Sequence, residues 1–450
     1  MHIFKIFFTY YIISQTIIYS DIIEFNEPDS GYIKNTLDSI MQTKQLLHME
    51  YRLKSYDGTF NHITYHEKYV DKLIDTVVIV PEQNIIPKFL NRLVSQMSKS
   101  TIDHNLRSDI EKKKKLITNK YYFIKKKPDI SIGTYLNDRA GMVIDLEPEF
   151  NSHLSGLFGA TRNTENNWAL NGELDMHLEN VWNTMESTSF FWKKLDSINQ
   201  TINLNINSPH IFDNGFGIIL SYHYDLVNGL YTDTQAKILF EVTNRSFGSF
   251  FVGYNSGRIT AASSGNNHFH QSSRFKGLLL MFNHNSLNRR FLPDKGTILE
   301  FETNFGTDTY QDQLYIRNNI IFEHIFSLLD KVEFSFKTSN REIRSLNGQF
   351  NPARAIKYGG INSLRGYMDN QFRSRAVSVQ SLELRFQKNH FWRTFLFFDF
   401  GMALDRFPKS GIGIGLLKLT RKALIKIEYA IPEKSSFLDG KIHFKWTSRL

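Results

Sequence analysis

The residues of this chain that could do chemistry crowd into one stretch, Ala353 to Gly401. It holds Arg365 in "KYGGINSLRGYMDN", Glu383 in "SVQSLELRFQ" and Asp399 in "FLFFDFG". A guanidinium is a planar fork of donors that fits carboxylates, and such pairs are strong when shielded from water. The chemistry is that of a clasp, with Arg365 as the contact and Glu383 and Asp399 as its receivers. Gly366 and Tyr367 follow the arginine directly. Gly366 permits a close backbone approach, and Gly359–Gly360 permit a chain reversal.

No catalytic constellation accompanies this set. There is no Gly-x-Ser-x-Gly elbow. "GIGIG" (Gly411–Gly415) lacks the Lys-Ser/Thr pair of a phosphate loop, and alternation puts its glycines on one face of a strand. His62 and His66 are four apart, but Thr64 and Tyr65 between them read as strand. "HFH" (His268–His270) has no acid beside it. With no cysteine, the chain has no disulfide framework, thiolate metal site or lipoprotein attachment cysteine. The expectation is a non-enzyme without cofactor or metal.

The elements that must position the clasp are strands. Leu382, Leu384 and Phe386 share one face of their segment, and Ser381, Glu383, Arg385 and Gln387 share the other. Leu396, Phe398 and Phe400 likewise oppose Asp399. If the apolar faces meet lipid, Glu383 and Asp399 point inward from neighbouring strands. The same alternation runs from about Asn151 to the end, through "ALNGELDMHLEN", "INLNIN", "KILFEV", "ILEFET", "VEFSFK", "LIKIEY" and "KIHFKW". About sixteen segments of roughly ten residues are expected, about eleven before the Arg365 stretch and five after, each long enough to cross a bilayer when tilted. An open edge cannot survive in lipid, so the sheet must close. The fold class is mainly β: a transmembrane antiparallel β-barrel preceded by small α+β modules.

Bulk properties agree. Hydrophobic residues are 41% and mean hydropathy is −0.33, too polar for a bundle of membrane helices. No internal apolar run reaches the roughly 18 residues of a spanning helix. The net charge is +9, but apart from "EKKKK" and "IKKKP" the basic residues are scattered, so nucleic acid is not an expected partner. The first twenty residues have the pattern of a signal peptide. A helix over 31–47 and a hairpin turning at Asp57–Gly58 then suggest a shortened module over 21–70. A strand, two helices and two strands joined at Asn137–Asp138 suggest a fuller module over 71–150. The barrel is expected over 151–450.

The stretch Ala353–Gly401 resembles the BamA/TamA family of outer-membrane assembly proteins, which also takes in two-partner-secretion transporters. The shared pattern is Gly359–Gly360, Arg365–Gly366–Tyr367, Glu383 and Asp399, in that order. The resemblance implies tandem POTRA modules in the periplasm and a barrel of about sixteen strands in the outer membrane, with the Arg365 loop returned into the lumen. It implies insertion of β-barrel proteins into the outer membrane without nucleotide hydrolysis. Its implied partners are the outer-membrane bilayer, nascent β-barrel clients, and periplasmic chaperones or accessory lipoproteins. Two alternatives stay open: a two-partner-secretion transporter, and a passive porin-like barrel. The last strand presents Ile442, Phe444 and Trp446 outward like a terminal recognition strand, but ends in Leu450 rather than an aromatic residue. The first, "HLSGLFGAT", carries two glycines and two hydroxyl residues, which suits a seam that opens. On this reading Arg365→Ala impairs loop docking and Lys357→Ala does not.

Overall fold

In a computed structural model of the chain, the described residues are 23–25, 35–37, 39, 49–57, 62–69, 72–80, 101–102, 106–135, 139–162, 168–194, 199–210, 216–227, 229–263, 271–389, 391–420 and 423–449. The signal segment 1–20, most of the helix read over 31–47, the helix read over 86–97, the Asn137–Asp138 turn, His268–His270 and Leu450 lie outside them. The described chain divides into two compact units that interleave in sequence.

The N-terminal part holds two small sheets. Strands β1 (Ile23–Phe25), β2 (Met49–Asp57) and β3 (His62–Tyr69) form one, in the order β1-β3-β2. Strands β4 (Lys72–Val80), β5 (Thr101–Ile102), β6 (Asp129–Tyr135) and β7 (Arg139–Asp145) form the other, in the order β5-β4-β7-β6. Helix α1 (Leu106–Lys120) precedes β6. This mixture is consistent with a POTRA-like unit.

The remainder is a closed barrel of sixteen antiparallel strands. Eleven come before the Arg365 loop: β8 (His153–Arg162), β9 (Trp168–Glu179), β10 (Ser187–Lys194), β11 (Gln200–Ser208), β12 (Ile218–Val227), β13 (Tyr231–Arg245), β14 (Gly248–Ala261), β15 (Ser273–Asn285), β16 (Gly296–Asp308), β17 (Gln313–Leu329) and β18 (Val332–Ser345). Within the loop, β19 (Ile356–Tyr358) and β20 (Phe372–Ser374) pair only with each other. Five wall strands follow: β21 (Ala376–Asn389), β22 (Trp392–Ala403), β23 (Arg406–Leu419), β24 (Ala423–Pro432) and β25 (Lys441–Arg449). No helix among the described residues is long and apolar enough to cross a membrane. The crossing is made by strands, and the protein is an outer-membrane barrel with an N-terminal extramembrane region.

Alternation sets the two faces of the wall. Along β15, Ser273, Phe275, Gly277 and Leu279 are buried while Leu278 and Leu280 are exposed. Period-two side chains leave no other arrangement, because a one-residue slip would turn every lipid-facing group inward. Leu382, Leu384, Phe386, Leu396 and Phe398 lie on the outer face.

The wall is uneven. Strand β17 has 17 residues and β10 has 8, so the wall is tallest away from the closure. Strands β24 and β25 share eight paired positions, and β8 and β9 share ten. Among the described residues, the closing pair, β25 with β8, shares only Ser448↔Leu154 and Arg449↔His153. Lys445 reaches past β8 to Asp175 on β9, at 3.2 Å. Closure thus rests on the last residues of β25 and the first of β8, whose facing edges otherwise lack ladder bonds. Hydrogen exchange should therefore be faster along 441–447 and 155–161 than in β15–β18, where each strand is paired on both sides over eleven or more positions. Uniform protection around the ring, measured by mass spectrometry in lipid, would contradict the weak closure.

Candidate functional site

The chain between β18 and β21 turns back into the barrel and is fixed to the inner wall at successive points. At its entry, Asn351 caps a short turn by accepting from the Ala353 amide at 3.0 Å, and its side-chain amide donates to Ser273 Oγ at 3.1 Å. Arg354 donates to Asp308 at 2.8 Å and lies between the rings of Phe275 and Tyr315, 3.9 and 4.0 Å from their centroids. The β19–β20 ladder carries two further anchors. Lys357 pairs with Asp225 of β12, and Arg373 donates to the Tyr231 hydroxyl of β13 at 2.8 Å. Sequence order gave Lys357 no partner in the wall. Its ammonium is a second charged tie between loop and wall, which sequence order could not reveal because Asp225 lies 132 residues away.

Beyond the ladder, Gly359 and Gly360 adopt φ +112° and +92°, and the chain reverses. Leu364 and Tyr367 pack with Ile356 and Tyr358 of the loop and with Ile343, Val377 and Val379 of the wall. The Tyr367 hydroxyl donates to the Ser410 carbonyl at 3.0 Å. Gly366, at φ +93°, lies against the backbone of Pro432. A side chain at Gly411 would collide with the Arg365 carbonyl, and one at Gly413 with the Phe397 ring. The bare row on β23 is what lets the loop tip reach the wall.

Arg365, 5% exposed, sits at the centre. Its Nε and Nη2 donate to the two oxygens of Asp399 at 2.7 and 2.6 Å, and its own backbone amide donates to Asp399 at 3.0 Å. Nη1 donates to Glu383 at 2.8 Å and to Glu428 at 3.1 Å, and Nη2 also donates to Ser381 Oγ at 2.6 Å. The Phe397 ring lies under the guanidinium, 3.6 Å away. The structure thus brings Arg365, Glu383 and Asp399 together and adds Glu428, Ser381 and Phe397. Alternation in "LIKIEY" already put Lys426 and Glu428 on one face; what it lacked was how far around the ring the loop reaches.

Each acid has a cation. Arg385 pairs with Glu383 at 2.8 Å and with Glu323 at 3.2 Å, and Lys426 pairs with Glu428 at 3.0 Å, so three cations meet four carboxylates. A buried ion cluster gains little over an apolar core of equal volume, but removing one member leaves charge without a partner. The cluster therefore acts as a lock on geometry more than as a reservoir of stability. Beside it is a cavity of about 210 Å³ lined by Glu323, Lys337, Glu383, Arg385, Arg393 and Lys426. Ile442, Phe444 and Trp446 are on the outer face of β25, away from the cluster.

Residues 164–447 match the model described as the Omp85 superfamily domain. No curated protein matches the chain. Among solved structures, BamA from Haemophilus ducreyi lacking POTRA domains 1–3 is similar at 14% identity and a TM-score of 0.51, over 93% of this chain and 94% of that one. CdiB from Acinetobacter baumannii is similar at 12% identity and a TM-score of 0.55, over 93% and 82%. CdiB from Escherichia coli is similar at 10% identity and a TM-score of 0.57, over 94% and 85%. At these identities the likeness is one of fold.

Arg365→Ala should weaken docking of the loop by about 3–5 kcal/mol, because Asp399 and Glu428 are left buried with fewer donors. Arg365→Lys should rescue little, since a point charge cannot make the forked contact. Lys357→Ala should cost less, about 1–3 kcal/mol, because Asp225 is buried but keeps the Thr201 hydroxyl as a donor at 2.7 Å. Limited proteolysis of 351–375 in the folded barrel measures this, and equal protection in all variants would rule out the clasp.

Proposed function

Since the chain belongs to the Omp85 superfamily, we propose that it handles unfolded polypeptide at the outer membrane, as a two-partner-secretion-type transporter that passes one partner through its lumen. The observation that carries this reading is the character of the lumen. The inner face holds Asn203, His223, Gln235, Asn255, Glu302 and Lys337 among other polar groups, and its filling is a loop tied by hydrogen bonds and ion pairs beside one apolar cluster. Such contacts can be exchanged for those of a passing chain, whose backbone offers a donor and an acceptor at nearly every residue. Greater fold likeness to the two CdiB structures than to the BamA structure supports the same side of the superfamily.

General assembly of barrel proteins is the second reading, favoured by the two-pair closure between β25 and β8. Unpaired strand edges there would template an incoming strand by main-chain bonds. In both readings the Arg365 cluster holds the loop in the working position, and the chemistry needs no nucleotide.

Depletion of the protein separates the readings. The transporter loses export of one secreted partner while unrelated outer-membrane barrels keep their levels. The assembly factor loses many barrels at once. A cell in which neither changes would sink both readings and leave a passive pore.

A further inference from the structure

The turn between β15 and β16 is longer than reversal of the chain requires. It runs over 286–295, whereas β17 and β18 are joined by residues 330–331 alone. Its base is an ordinary extension of the two strands: Ser286 N donates to Thr297 O at 2.8 Å and Asn288 N to Lys295 O at 3.1 Å. A side-chain staple from Asn288 to Asp294, at 2.6 Å, closes the next rung. Residues 289–293 then leave their own strands altogether.

On one side, Arg290 pairs with Glu179 at the end of β9 and donates to the Glu149 carbonyl, and its backbone amide donates to the Lys125 carbonyl at 3.1 Å. On the other side, Arg393 of β22 donates to the Pro293 carbonyl at 2.6 Å, and Gln387 of β21 donates to the Leu292 carbonyl at 3.2 Å. Around the ring, β9 is six strands from β15, and β21 and β22 are three and four strands from β16. A single turn that touches three separate arcs of a closed ring must lie across its mouth. Leu292 at the tip is 5% exposed and holds φ +48°, a conformation leucine keeps only where its surroundings impose it.

We infer that residues 286–295 form a strap that closes the lumen at the end where the chain enters the barrel, opposite the Arg365 loop, and that swings aside to admit polypeptide. The contacts suit release. When the strap leaves, Arg393 keeps Gln387 Oε1, at 3.0 and 2.6 Å, and Glu179 keeps His177 at 2.7 Å and the Asn151 amide at 2.6 Å. No buried wall charge is orphaned, unlike the case of Arg365, so the closed and open arrangements differ by a few exchangeable hydrogen bonds. The closure itself goes beyond the transport reading; only the admission of polypeptide rests on it.

The chain has no cysteine, so a Lys337→Cys reporter on the lumen cavity is the sole thiol. The full chain is folded into liposomes with its N-terminal part facing the bath, and a membrane-impermeant maleimide is added to the bath. Labelling of the reporter should be slow in the parent. It should rise about tenfold or more in the Arg290→Ala/Arg393→Ala variant, and in a second variant whose residues 289–294 are replaced by two glycines. Heat-modifiable gel mobility certifies that each barrel is folded. Equal labelling in parent and folded variants would overturn the strap. So would failure of both variants to fold, because the turn would then be part of the barrel's framework. The readout is access to the lumen, so it stands or falls separately from loss of a secreted partner.

Discussion

A guanidinium held inside a lipid-embedded barrel must bring its counter-charges with it, and the inner architecture follows from that requirement. Arg365 cannot remain 5% exposed without acids, and Asp399, Glu383 and Glu428 supply them from three different wall strands. Those acids in turn need donors when buried, which Arg385 and Lys426 provide. The loop cannot slide by one residue, because the backbone amide and side chain of Arg365 grip the same carboxylate. Even the glycines of β23 belong to this constraint, since a side chain at Gly411 would push the loop tip off the wall.

The barrel places rigidity and compliance in different sectors. Long, fully paired strands from β13 to β18 make a tall wall, and the inserted loop adds packing against β18 and β21 through Ile343, Val377 and Val379. The sector around β25 and β8 has short strands and two paired positions at closure. Interfaces assembled from a few hydrogen bonds open at lower cost than packed apolar cores. The lumen is occupied by the clasped loop, held by polar contacts and one apolar cluster, and spanned by the turn after β15, held by polar contacts. On the transport reading proposed above, a lumen closed in this manner could admit a chain without exposing the bilayer, for polar contacts can be replaced one at a time.

Strand number, the position of the Arg365 loop after the eleventh strand, and the inward aim of Glu383 and Asp399 are all legible in the amino-acid order. Each depends on a period of two, and a wall with lipid on one face allows the pattern no slack. The contacts of Lys357 with Asp225, Arg365 with Glu428, and Arg393 with Pro293 are not legible. They join residues 63 to 132 positions apart across an enclosed space, and no local rule gives how far a loop or turn reaches into it.

The sequence by itself therefore determined the closed transmembrane barrel and the kind of chemistry its arginine would seek, because alternation and charge are local properties. Tertiary structure alone decided which acids complete the cluster, that closure rests on two residue pairs, and that a ten-residue turn lies across the mouth. Those outcomes depend on ring order and on the curvature that brings distant strands to face one another, and a period read along one strand carries neither.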